Sequence, residues 1–240
     1  MKPSPYRIVD LSLDLRQAIV FPGDAAPAVE GPRSFVGGRH REFAYRLSMS
    51  TQAGTHVQGQ HYFLAGGKRL DEYPLARFEG PAVVVDCGPA RRLDARLLER
   101  ELPAGDLAPL AILFSTGFVD VLLARRTARG GRLLAEDLAD KPGLTLDGAR
   151  LLLARGARFL GIDSVGFEPY PTDDHAINRL LCEGDVLLLE NLTRLAEVPR
   201  TGSWLECFPL PLAGVEGAPC RAVAKVPIEP PAEERAQEPP

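Results

Sequence analysis

Pro81-Ala82-Val83-Val84-Val85-Asp86-Cys87 is a short β-branched run with no polar face, the pattern of a strand buried on both sides. Leu110 to Phe114, Arg158 to Ile162 and Val186 to Leu189 read the same way. Strands without a solvated face belong to a sheet covered by helices, and the intervening sequence supplies them. From Leu146 to Arg155 the apolar residues Leu146, Ala149, Leu152 and Leu153 recur at helical spacing, with Thr145 as N-cap and Gly156 as the stop. A second helix is predicted from Asp94 to Leu102, ended by Pro103. Toward the N-terminus, Tyr6 to Leu13 alternates as a strand, and Phe21-Pro22-Gly23-Asp24 breaks the pattern. Glu42 to Met49 puts Phe43, Tyr45, Leu47 and Met49 on one strand face, and Ala218 to Val226 reads as the last strand. The reading predicts one α/β domain over residues 1–227, a mixed β-sheet core flanked by helices, followed by a disordered Pro/Glu-rich tail over residues 228–240.

Composition narrows the function classes. The chain has 240 residues, 45% hydrophobic and 25% charged, which excludes wholesale disorder and coiled-coil or collagen-like architectures. Its net charge of −4 sits mostly in the tail, where Glu229, Glu233, Glu234 and Glu238 face only Arg235. The body is nearly neutral and shows no Lys/Arg face with interleaved aromatics, which argues against nucleic acid as a partner. No apolar run approaches the ~18 residues of a membrane span. Cys87, Cys182, Cys207 and Cys220 are widely spaced, and the start of the chain lacks an apolar leader, so a reduced, cytoplasmic protein with a small-molecule partner is expected.

The unusual polar residues lie between Ser50 and Phe63. Gln52, His56, Gln58 and Gln60 have the same parity and would share one face of an extended chain. A polar face of this kind suits either a solvated edge strand or a ligand pocket, since a buried amide without a partner costs about 1–3 kcal/mol. Gly54 and Gly59 favour the pocket, because glycine lets backbone approach a ligand closely.

Several elements in order carry a resemblance. Val9-Asp10-Leu11-Ser12, Phe21-Pro22-Gly23-Asp24, Gly54-Thr55-His56, Phe78-Glu79-Gly80-Pro81, Ser115-Thr116-Gly117-Phe118, Gly161-Ile162-Asp163-Ser164 and Glu190-Asn191-Leu192 resemble the cyclase family that includes bacterial kynurenine formamidase, isatin hydrolase and related metal-dependent hydrolases. The closing strand, Gly217 to Ala224, resembles it too, so the likeness spans Tyr6 to Val226. It implies the fold of that family, an oligomer, and a divalent metal held by an H-x-G-T-H-x-D-x-P-x-H segment together with a downstream His and Glu. On this chain those positions read Gln52, His56, Gln58, Gln60, Tyr62, Asn178 and Glu190, so only His56 and Glu190 keep the expected side chains.

Carboxamides are weak ligands for zinc or manganese. The expectation is therefore a site with no metal and no cofactor, in which His56, Glu190 and His61 do acid/base work on a small carbonyl metabolite by ring closure, dehydration or isomerisation. Gln52, Gln58, Gln60, Tyr62, Asn178, Phe21 and His175 are expected to bind the substrate. Two alternatives stand beside this: a zinc or manganese hydrolase of an amide, ester or lactone with His61 or His175 recruited as ligand, and a non-catalytic binding protein. No G-x-S-x-G elbow supports a serine hydrolase. Trp204 and Phe208 are candidates either for the cavity wall or for packing under the last strand.

Overall fold

The computed structural model describes residues 5–17, 19, 25–37, 40–172 and 174–228. In chain order the strands are β1 (Tyr6–Asp10), β2 (Ala28–Gly37), β3 (His40–Ser48), β4 (His56–Gln58), β5 (Glu79–Asp86), β6 (Arg92–Leu93) and β7 (Ala111–Ser115). They continue with β8 (Gly143–Leu144), β9 (Phe159–Ile162), β10 (Leu187–Glu190), β11 (Ser203–Glu206), β12 (Gly217–Pro219) and β13 (Val223–Pro227). The helices are α1 (Ala95–Glu101), α2 (Phe118–Ala128), α3 (Leu146–Ala154) and α4 (Ala176–Glu183). Nine strands make one mixed sheet in the order β1-β13-β11-β5-β7-β9-β10-β4-β12. Its centre, β5-β7-β9-β10, is parallel, and antiparallel strands extend both sides.

The β-branched run behaves as its composition requires. Val83 and Val85 face a core layer with Leu98 of α1, Leu152 of α3 and Leu181 of α4, whereas Val84 faces a second layer with Leu113, Leu189 and Leu205. Asp94 and Thr145 cap α1 and α3, accepting from Leu97 N and Gly148 N. The predicted single α/β domain is thus the observed architecture, and no helix of the described residues is long and apolar enough to cross a membrane.

Three readings change. Ala218 to Val226 is two strands, β12 and β13, on opposite sides of the sheet, because the Cys220 to Ala222 segment carries the chain across from β4 to β11. The segment 50–63 extends only over β4 before a 3₁₀ turn at Gln60–Tyr62. Helices α2 and α4 lie in stretches for which no helix was read. The face of β3 bearing Phe43, Tyr45 and Leu47 belongs to a separate two-stranded arm with β2 and is exposed. Of the tail 228–240, all but Ile228 lies outside the described residues.

One glycine fixes the approach of β8 to the site. A Cβ on Gly143 would stand 2.4 Å from Pro169 N and 2.7 Å from the Glu168 carbonyl carbon, both backbone atoms. Gly143→Ala is expected to lower the urea midpoint by an amount equivalent to about 1–3 kcal/mol, the usual cost of overpacking. Gly66→Ala, where nothing stands within 4 Å, should leave it in place, and equal midpoints for the two variants would refute the close approach.

Candidate active site

The site lies where β4 meets the carboxyl ends of β9 and β10, on the helix side of the sheet, as expected for an α/β sheet. His56 and Glu190 are direct cross-strand partners in the antiparallel β4–β10 pair, so their side chains leave the sheet together. Both are buried, His56 at 2% and Glu190 at 8% exposure. His56 Nδ1 lies 2.9 Å from the Gly54 carbonyl, which can only accept, so that nitrogen carries the proton. Nε2 is left without a hydrogen-bond partner and is 3.7 Å from Glu190 Oε2, too far for a direct bond and suited to one bridging atom.

The loop that holds Gly54 is tied into the sheet. Thr55 Oγ1 accepts from Leu13 N at 2.9 Å and donates to the Asn191 carbonyl at 2.7 Å, and Asn191 Nδ2 donates to Gly54 O at 3.0 Å. Gln58 Nε2 donates to Glu190 Oε1 at 2.9 Å, leaving Gln58 Oε1 unpartnered. Burial pushes the Glu190 carboxyl up, against the pull of His56 and Lys141, which favours its protonated form more than water would. Gly166 lets the backbone approach this acid: its φ is +90°, and an added Cβ would stand 3.3 Å from both carboxyl oxygens.

These groups open into a cavity of about 490 Å³. Gln52, His56, Gln58, Tyr62, His175, Asn178 and Glu190, all read from the sequence, line it. Gln52 is oriented by Glu216, to which its Nε2 donates at 3.0 Å. Asn178 comes from α4 with an unpartnered Oδ1, and His175 precedes that helix in left-handed conformation, its ring 5.5 Å from that of Phe63.

Other expected residues are not brought in. Gln60 clamps the 3₁₀ turn instead, donating to Cys182 O and accepting from Lys68 N. His61, on that turn, is not among the lining residues. Trp204 and Phe208 are part-exposed and away from the cavity, and Phe21 lies outside the described residues. Asp163 is structural: it accepts from Thr116 and Gly117 N–H groups and holds the turn into α2.

The sequence reading missed Lys141, Glu168, Tyr170 and Phe63. Lys141 is 6% exposed, its ammonium donates to the Glu168 carbonyl, and Glu168 in turn accepts from Asn178 N at 2.7 Å at the start of α4. Burial brings Lys141 down to about 8, and the Glu190 and Glu168 carboxylates limit the fall.

Comparison with known proteins places this geometry. The family described as "Putative cyclase" matches residues 9–169. A kynurenine formamidase of Bacillus thuringiensis subsp. konkukian is 27% identical over 180 residues, 75% of this chain and 78% of that one. Isatin hydrolase A from Labrenzia aggregata superposes with a TM-score of 0.72 at 25% identity, covering 93% of this chain and 95% of that one. A structure described as a "potential metal-dependent hydrolase with cyclase activity" gives 0.72 at 21% identity, covering 94% and 100%.

Two corrections follow. The relatives are hydrolases by name, which favours the hydrolytic alternative over ring closure, dehydration or isomerisation. The expectation of a protein without metal or cofactor is overturned by the metal dependence described for a solved neighbour of the same fold. The donor set here nevertheless does not fit a zinc-type ion, which takes three or four imidazole, thiolate or carboxylate ligands. Among the described residues no three His, Cys, Asp or Glu stand together. The cavity offers the imidazoles of His56 and His175, the Glu190 carboxyl already bonded by Gln58, the Glu168 carboxyl already bonded by the Asn178 N–H, amide oxygens and an ammonium that repels a cation.

The buried ammonium has a stability signature. Above about 8 the folded chain holds Lys141 neutral while the unfolded chain keeps it charged up to the ordinary lysine range, so unfolding takes up a proton and stability rises with pH there. Relative to Lys141→Met, the wild type should gain ~2–3 kcal/mol in unfolding free energy between about pH 7.5 and about pH 10. Denaturant titrations of both proteins check this, and a pH-independent difference would contradict the burial.

Proposed function

We propose that this chain, which belongs to the "Putative cyclase" family, is an enzyme that hydrolyses the C–N bond of a small aromatic amide, either a formamide or a cyclic amide. The family match and the hydrolase relatives support the reaction class. The observation that carries it to this chain is the buried, partnerless Nε2 of His56 facing, across 3.7 Å in the cavity, a Glu190 carboxyl that burial pushes up. Phe63, Tyr62 and Tyr170 give the wall an aromatic surface for a planar substrate.

The two groups divide the proton traffic as pairs with separated environments do. His56 Nε2, with its lone pair aimed into the cavity, takes one proton from water as the oxygen bonds to the carbonyl carbon. The carbonyl π pair moves onto oxygen. When that pair returns, the C–N bond breaks, and the Glu190 proton goes to the leaving nitrogen. A carboxylic acid and an amine result, and the proton on His56 passes to Glu190 through the bridging position. Gly54 O holds the imidazole tautomer throughout, and Gln58 fixes the carboxyl so that Oε2 is the oxygen facing His56.

The purified chain, given the formamide of kynurenine or isatin with manganese or zinc added in separate reactions, is expected to release the corresponding amine and acid. His56→Ala should lower kcat about 10²–10⁴-fold, the usual contribution of a positioned base. Failure to turn over both compounds under every metal condition would overturn the reading.

A further inference from the structure

We infer that Lys141 is a further catalytic residue of this site, its Nζ receiving the substrate carbonyl oxygen as that oxygen becomes an anion during the attack of water. The inference rests on the hydrolytic reading above and assigns the group which that reading leaves without a partner. Water attack puts a full negative charge on one oxygen, and neither His56 nor Glu190 can receive it, since one takes a proton from water and the other gives its proton to nitrogen.

Lys141 has the geometry for it. More than nine-tenths buried, it lines the same cavity as His56, Gln58, Asn178 and Glu190. Its ammonium has three N–H donors, and one is spent on the Glu168 carbonyl. Among the described residues no carboxylate stands within salt-bridge distance of it, although ammonium groups are seldom buried without one. The polar atoms left unpartnered among the lining side chains, His56 Nε2, Gln58 Oε1 and Asn178 Oδ1, are acceptors. The cavity therefore holds both spare acceptors and a cationic donor with N–H groups to spare, matched to a ligand that presents N–H or O–H groups together with a developing oxyanion.

The lysine makes no covalent bond in this step. The carbonyl π pair moves onto oxygen beside the N–H groups, the ammonium keeps its proton, and the pair returns when the C–N bond breaks. The cation costs the fold stability through its burial, as the pH signature above measures, and a low-dielectric cavity is where such a charge acts most strongly on a transition state.

The test compares wild type, Lys141→Met and Lys141→Arg with isatin as substrate and its ring-opened acid as ligand. Lys141→Met is expected to lower kcat about 100-fold or more, within the range for loss of one oxyanion donor. It should also weaken calorimetric binding of the acid about tenfold or more, while KM for neutral isatin changes little. Lys141→Arg, which keeps a cation, should recover part of both losses. A folded Lys141→Met protein that turns over isatin or binds the acid like the wild type overturns the assignment while leaving the hydrolase reading intact. A wild type that hydrolyses neither isatin nor the formamide overturns the hydrolase reading, and this assignment falls with it.

Discussion

The β4–β10 pairing that sets His56 opposite Glu190 is the constraint on which the site depends. Cross-strand partners have their Cβ atoms about 5 Å apart whatever the side chains are. The distance between imidazole and carboxyl is therefore fixed by backbone hydrogen bonds rather than by the attraction of two charges. This matters because the attraction is absent when Glu190 is neutral, and a buried pair held by charge alone would separate or admit water. The second anchor, Gly54 O on Nδ1, fixes which imidazole nitrogen faces the cavity. Thr55 and Asn191 connect that anchor to Leu13, just after β1, and to the end of β10, so the end of the β4–β10 pair and the tautomer of the histidine are tied into one network.

A site of this polarity is costly, and the rest of the fold shows how the cost is carried. Six side chains with polar heads, Gln58, His56, Asn178, Glu190, Glu168 and Lys141, are withdrawn from water around one cavity. The nine-stranded sheet buries apolar layers on both faces, built around Val83, Val85, Leu98 and Leu152 on one side and Val84, Leu113 and Leu205 on the other. Those layers stop at the carboxyl ends of β9 and β10, where the side chains turn polar. Each unpaired acceptor there is a desolvation penalty in the absence of a ligand and a preorganised contact in its presence.

Much of the fold was legible because its information is local. The runs at Val83–Val85, Ile112–Phe114 and Leu187–Leu189 have no polar face, so they declare a doubly covered sheet, and Thr145 and Asp94 mark helix starts through short-range capping. Failures occurred where tertiary context decides. Ala218 to Val226 is mostly apolar, with Arg221 and Lys225 its only charges, and nothing in that run says that the chain crosses the sheet at Cys220 to Ala222. Helix α4 follows a Pro/Asp-rich stretch that reads as loop, and its packing on α3 and the 3₁₀ turn gives it a buried face. For the site, parity placed His56 and Gln58 correctly because β4 is extended, and misplaced Gln60 because the chain coils two residues after the strand.

Lys141 shows why charge is the hardest property to place from sequence. It sits in Asp140-Lys141-Pro142-Gly143, a stretch that reads as an exposed turn, and lysine is almost never fully buried. Two residues on, Gly143 lets β8 lie against the backbone of Glu168 and Pro169, and the Lys141 ammonium donates to the carbonyl of that same Glu168. The titratable groups of the resulting cavity include a carboxyl that burial pushes up, an imidazole with a free lone pair and a cation whose proton is loosely held. A neutral amide enters such a cavity without adding a charge to it. As it is cleaved the negative charge arises on oxygen, where an ammonium can meet it, and the protons required at water and at nitrogen are handled by the two groups that β4 and β10 hold opposite one another.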